Sequence, residues 1–233
     1  MTPNDSIGPL VDAVASLDPQ PRERQWVSLS FCVLDAVYSI GANYDHHVVP
    51  VVKRVAADFG VDTPATAPAV ATLMADPVPL GALLHRYTNP DALITVTDNR
   101  QYTSTRGGIR KADAVLRYAE ILNRHGVVSL ADGRAALSDD QKVEQIDHVL
   151  RTVPGEGAAG VRRGYLWMLI GDQQTVKPDR MVLRWLARNG HNVDVGRARS
   201  LLREVSESLT DRLDRVVSPW DVDHAIWNAE RLR

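Results

Sequence analysis

The chain has 233 residues, 44% of them apolar, and a formal charge of −2, which suits one large domain or two small lobes with a sizeable core. A lone cysteine, Cys32, excludes an intramolecular disulfide, a cysteine-rich zinc site and a four-cysteine iron–sulfur cluster. No apolar run reaches the roughly 18 residues that a membrane-crossing helix needs, and M-T-P-N-D-S-I-G-P-L lacks the basic-then-apolar order of a secretory signal, so the expectation is a cytoplasmic protein.

Helical patterning dominates. Gln25 to Gly41 is largely apolar with small residues and predicts a buried helix, broken at Gly41-Ala42-Asn43-Tyr44. A second helix follows from about Asp45 to Phe59. Four prolines between Thr63 and Pro79 restrict any helix there to a short one between loops. Short helices are expected over Pro79 to Tyr87 and Asp91 to Val96. Arg110 to His125 places Ala112, Val115, Leu116, Ala119 and Leu122 close to helical spacing and stops at Gly126. Ser138-Asp139-Asp140 can cap a helix running to Leu150. Then come a glycine-rich turn, helices over Val161 to Ile170 and Asp179 to Asn189, an amphipathic run from Val195 to Leu213, and a last helix from Pro219 to Arg233. No strand series, repeat or low-complexity tract is visible. The expected fold class is all-α.

Charge is unevenly spread. Arg100 to His125 carries six Lys/Arg against Asp113 and Glu120, and Gly160 to Gly190 carries six against Asp172 and Asp179. Two basic segments of this kind suit a polyanionic partner as readily as solvated helix faces. The second segment contains V-P-G-E-G-A-A-G-V-R-R-G-Y-L-W-M-L-I-G-D, a turn in which Gly155, Gly157 and Gly160 supply positive-φ freedom. The N–H groups of such a turn, with the helix N-terminus after it, can bind a phosphate without reading sequence. Asp179 follows in K-P-D-R-M-V-L-R-W-L-A-R, at a helix start where an aspartate is also a good cap.

A glycine hairpin, a short apolar helix and an aspartate opening a further helix, in that order, resemble the core of the helix-hairpin-helix DNA glycosylases of the endonuclease III-like superfamily. The resemblance implies two helical lobes with a DNA-binding cleft between them. It places residues 1–43 and 172–233 in the terminal lobe and 44–171 in a lobe ending with the hairpin. It implies double-stranded DNA as partner, a flipped-out base, and Asp179 as the catalytic carboxylate that stabilises oxocarbenium character as the glycosidic bond breaks. Arg162 and Arg163 stand where bifunctional members carry a nucleophilic lysine, which implies a monofunctional enzyme, with Lys177 the only nearby lysine. This chain departs from the family pattern in two places. Ala158-Ala159-Gly160 lengthens the turn, and Glu156 sets a negative charge where a phosphate should approach.

Further implied DNA contacts are Arg162 and Arg163 at the second helix, Lys177, and Thr103, Ser104, Arg106 and Lys111 in R-Q-Y-T-S-T-R-G-G-I-R-K. Asn43 and Tyr44 stand where the family fills the gap left by a flipped base, and Asp35 either faces the base pocket or is a satisfied buried group. W-D-V-D-H-A-I-W-N-A-E-R resembles the helix that usually precedes the family's cysteine cluster, and the implied relatives are those without a cluster. Asp223 and His224 diverge by about 100° on a helix and cannot easily share a pocket, and His46-His47 has the same weakness, so no metal and no cofactor are expected. The expected state is a monomer. The alternative to a glycosylase is a non-catalytic helix-hairpin-helix DNA-binding protein.

Overall fold

The structure is a computed structural model that describes residues 7–231; Leu232 and Arg233, the expected end of the last helix, lie outside them. The described residues are mostly helical, as the all-α expectation requires. They divide into two compact units, Glu23–Gly171 and Met1–Arg22 with Asp172–Arg233.

The continuous unit is built around α2 (Leu29–Tyr38), whose ten residues are all buried. Burying side chains such as Phe31, Leu34 and Val37 contributes about 1.5–3 kcal/mol each. Helix α2 packs against α3 (Val49–Asp58), α7 (Lys111–Arg124) and α10 (Val161–Ile170). These contacts place α2 in the unit with the hairpin, so the N-terminal boundary falls at Arg22/Glu23 and not after Asn43. A helix end in a core must still satisfy its backbone. At its start, the Ser28 side chain accepts from Ser30 N–H, and Asp76 Oδ2 accepts from both Leu29 N–H and Leu130 N–H. At its other end, Lys111 Nζ donates to the carbonyls of Tyr38 and Ile40.

The sequence expectations need three amendments here. Gln25–Trp26 is extended and pairs antiparallel with Ala65–Thr66, a two-residue ladder ahead of α2. The helix expected from Asp45 opens as a π turn over Tyr44–Val48, and α-helix proper begins at Val49 with Pro50 in its first turn. Proline has no N–H to extend an earlier helical ladder but is well placed at a helix start. A helix absent from the expectations, α8 (Leu130–Ala136), is set by a capping box in which Ser129 and Asp132 bond each other's backbone. The remaining helices of the unit are α4 (Pro68–Leu73), α5 (Leu80–Arg86), α6 (Pro90–Thr97) and α9 (Asp140–Leu150), the last capped by Asp139 through Lys142 N–H.

The second unit combines α1 (Gly8–Ala15), also unexpected, with α11 (Arg180–Arg188), α12 (Val195–Leu213) and α13 (Pro219–Arg231). Its core gathers Leu10, Val14, Val182, Trp185, Leu201, Val205, Leu209, Val222 and Ile226. Glu230 is buried on α13 and pairs with Arg184 and Arg188 of α11. Along α13, the His224 ring stacks between Trp220 at 4.5 Å and Trp227 at 6.1 Å, with the Arg22 and Arg231 guanidiniums over the two indoles. No helix among the described residues is long and apolar enough to cross a membrane.

Candidate nucleic-acid interface and carboxylate site

The turn between α9 and α10 reverses the charge pattern that the sequence suggested. Glu156 turns inward, its side chain only 1% exposed, and its carboxylate meets Arg162 Nη1 at 2.9 Å and Arg163 Nη1 at 3.3 Å. Tyr118 on α7 donates its hydroxyl to the same carboxylate. Asp147 on α9 completes the network, accepting from Arg163 Nε at 2.8 Å and from Trp167 Nε1 at 3.2 Å. Burial and then the Glu156 charge push the Tyr118 hydroxyl well above its ordinary pKa, so it stays a donor. Two corrections follow. Glu156 does not oppose an approaching phosphate, and Arg162 and Arg163 do not project toward one, because each is spent on an internal partner.

What the turn leaves outside is small. Gly157, Ala158 and Ala159 are exposed, so their backbone is reachable. Helix α10 starts at Gly160 in the left-handed region, φ +63°, with no side chain capping its first N–H groups. Gly155, at φ +81°, does need its lack of Cβ: a Cβ there would lie 2.1 Å from Thr103 Oγ1. Gly157 has neither a positive φ nor a neighbour within 4 Å, so the expected conformational role for it is not met.

Thr103 joins this turn to the segment before α7. Its hydroxyl donates to Pro154 O at 2.8 Å and accepts from Ile109 N–H at 3.1 Å, while its carbonyl accepts from Arg162 Nη2 at 3.4 Å. Thr103 is therefore a buried clamp, not an exposed phosphate donor. The Ser104 hydroxyl is committed within its own loop to Arg106 O. Lys111, expected on the surface, is 2% exposed and closes the C-terminal end of α2. Among the other basic residues of this segment, Arg117 and Arg124 pair with Asp113 and Glu120 one turn away. Arg100 and Arg106 are exposed, and Arg110 lies 4.3 Å over the Tyr102 ring. Tyr102 itself is 52% exposed, on a loop bonded directly to the glycine turn. An exposed ring beside arginines is a stacking platform for a base or sugar, and the sequence reading passed over it. Its signal was an aromatic among Arg100, Arg106 and Arg110.

Asn43 is exposed and caps the π turn through His46 N–H. Tyr44 does not project as a wedge: its hydroxyl donates to Asp35 Oδ2 at 2.8 Å, which also accepts from Trp26 Nε1 at 2.8 Å. Burial and the Asp35 charge raise the Tyr44 pKa well above its usual value. Asp35 is fully buried, with its Oδ2 shared between Tyr44 and Trp26.

Asp179 lies in the other unit. Its Oδ1 accepts from Met181 N–H at 2.8 Å and Val182 N–H at 3.2 Å, so it is the N-cap of α11, and Oδ2 takes no part in the cap. Its own N–H bonds back to Lys177 O at 2.6 Å across Pro178. Lys177 is buried, and its N–H donates to Asp223 Oδ1 at 3.0 Å. Burial, then the Asp179 charge, push the Asp223 carboxyl well above the ordinary carboxylate range, against a smaller opposing pull from Lys177. Sequence reasoning set Asp223 aside beside His224; no spacing rule links position 223 to position 177. No group of three or more potential metal-ligating side chains occurs among the described residues.

These features define an all-α protein with a glycine turn and arginine–tyrosine loop in one unit and a capped, paired carboxylate in the other. The chain belongs to the family described as a domain of unknown function (DUF8548), whose model matches residues 6–231. Neither the curated proteins nor the solved structures give a match.

Proposed function

We propose that this protein is a monofunctional DNA N-glycosylase of the helix-hairpin-helix type, acting on a damaged or modified base in duplex DNA. In this reading the exposed backbone of Gly157–Ala159 and the loop bearing Tyr102 and Arg106 hold the DNA backbone, and the base is rotated out of the stack. Asp179 is the catalytic carboxylate of this reading. The C1′–N bond breaks and its electron pair leaves with the base, which takes up a proton. The water oxygen bonds C1′ and releases a proton. The Asp179 carboxylate stabilises the positive charge that develops on the sugar between these events.

The observation that carries this reading is the manner in which Asp179 is held. Two N–H groups of its own helix fix Oδ1 and leave Oδ2 outside the cap, so the carboxylate is both rigid and able to serve a second partner. Arg162 and Arg163 are guanidiniums committed to Glu156, which supports hydrolysis over attack by a protein amine. The cap also supplies a reason for Asp179 without chemistry, and that favours one second reading, a non-catalytic DNA-binding protein.

The test is abasic-site formation on duplexes carrying alkylated, oxidised, deaminated or phage-type modified bases, with Asp179→Asn beside the wild type. Aldehyde from the wild type alone supports the enzyme and names its substrate class. Salt-dependent duplex binding with no product in either protein supports the second reading. A covalent adduct trapped by borohydride would overturn the monofunctional assignment and point to Lys177.

A further inference from the structure

Two observations converge on Asp223 without involving the helix cap. It is a buried carboxylate, 5% exposed, on a helix of its own unit that packs directly against α11. Its side-chain Oδ1 accepts from Lys177 N–H, two residues before Asp179, outside its own helix. The short strap from Lys177 to Asp179 is stiffened by Pro178 and by the bond from Asp179 N–H to Lys177 O. Fixing Lys177 N–H therefore fixes the backbone entry into Asp179, while Met181 and Val182 fix its side chain.

We propose that Asp223 is the positioning residue of the Asp179 site: through Lys177 N–H it sets where the Asp179 carboxylate sits. This rests on the reading of Asp179 as the group that meets positive charge on the sugar. Asp223 is suited to the task because its Oδ1 is a buried acceptor already on Lys177 N–H, and the bond needs only an oxygen there. The requirement is an acceptor at this point, not a charge. A neutral amide of the same shape meets it, and an apolar side chain of similar size does not.

The probe is a duplex in which one nucleotide carries a protonated pyrrolidine in place of the sugar, compared with a duplex carrying a neutral tetrahydrofuran. A positioned carboxylate binds the cationic duplex more tightly, on the order of a hundredfold. Wild-type protein is expected to show this preference and Asp179→Asn to lose it. Asp223→Asn keeps it. Asp223→Leu, which removes the acceptor but preserves volume, and Asp223→Ala reduce it by about tenfold or more through misplacement alone. Their affinity for the neutral duplex stays unchanged. Hydrogen exchange at Lys177 N–H, measured on the full chain, stays slow in Asp223→Asn and quickens in Asp223→Leu.

A wild-type preference in Asp223→Leu, or its loss in Asp223→Asn with slow Lys177 exchange retained, overturns the positioning role and leaves the Asp179 reading standing. Equal affinity of wild type and Asp179→Asn for both duplexes overturns the Asp179 reading, and the proposal falls with it.

Discussion

Helices α10 and α11 begin in opposite ways. Helix α10 starts at a left-handed glycine with no side chain on its first N–H groups, while α11 starts at Asp179, whose carboxylate takes two of them. The same backbone dipoles are left for an outside anion in one case and spent on holding an inside anion in the other. The surroundings follow suit. Within the glycine turn Glu156 is folded inward between Arg162 and Arg163, so that Gly157, Ala158 and Ala159 form its exposed part. Near Asp179 a second carboxyl, that of Asp223, is pushed well above the ordinary carboxylate range by its burial and then by the Asp179 charge. An uncapped and a capped helix start thus come from one piece of helix chemistry, and the difference lies in whether the residue before the helix has a side chain.

The largest break in that comparison should come from Glu156→Ala. It strands the buried Arg162 guanidinium and leaves Arg163 with Asp147 alone, and removing one partner of a buried pair costs about 3–5 kcal/mol. Urea unfolding should show that loss, and Glu156→Gln, which can still accept from both arginines, should lose less. A Glu156→Ala protein as stable as wild type would mean that water reaches Arg162 and Arg163 and that the network is not closed. Next in size is Gly155→Ala. A Cβ at φ +81° and 2.1 Å from Thr103 Oγ1 must strain the turn and push the loop away, at a cost of at least about 2 kcal/mol. Duplex binding should weaken with it if loop and turn act as one surface. Gly157→Ala, where nothing lies within 4 Å, should change neither.

Much of this frame was legible in the sequence because it is local. The Gly126 stop, the Asp139 cap, the α10 span and the Asp179 helix start each depend on a few adjacent residues. What escaped is where side chains point. Lys111, Arg162 and Arg163 read as surface charge because isolated charges are rarely buried, yet each has partners brought from far along the chain, Tyr38 O for Lys111 and Asp147 for Arg163. Tyr44 is similar: its partner Asp35 sits in the preceding helix, and the chain turns it inward. Asp223 was invisible as a site residue because its contact is 46 positions away. Short helices α1 and α8 escaped, although α5 and α6, equally short, were marked by the prolines at their starts.

A third test separates the units by acid. Burial first, then the Arg22 and Arg231 charges, depress His224 from the ordinary 6.5 to about 4. In the unfolded chain His224 takes up a proton near its usual value, so below that pH the unfolded state binds more protons than the native one. The contribution is fully present above about pH 6.5 and is lost as pH falls toward about 4. Unfolding followed by tryptophan fluorescence should show the wild type weakening over this window. His224→Phe, which keeps a ring between Trp220 and Trp227, should weaken less. Parallel curves for the two proteins would show that His224 is solvated as an ordinary histidine.

The smallest stability effect belongs to the residue with the largest proposed role. Asparagine is among the best N-cap residues, so Asp179→Asn should still accept from Met181 and Val182 N–H and alter unfolding by only a few tenths of a kcal/mol. Asp179→Ala removes the cap and should cost about 1 kcal/mol. If capping is the whole purpose of Asp179, function should follow stability: intact in the asparagine variant, impaired in the alanine variant. If the carboxylate meets charge on a substrate, both should lose product formation equally, whatever their stability. The two variants therefore separate the two uses of a helix start, since both remove the charge and only one removes the cap.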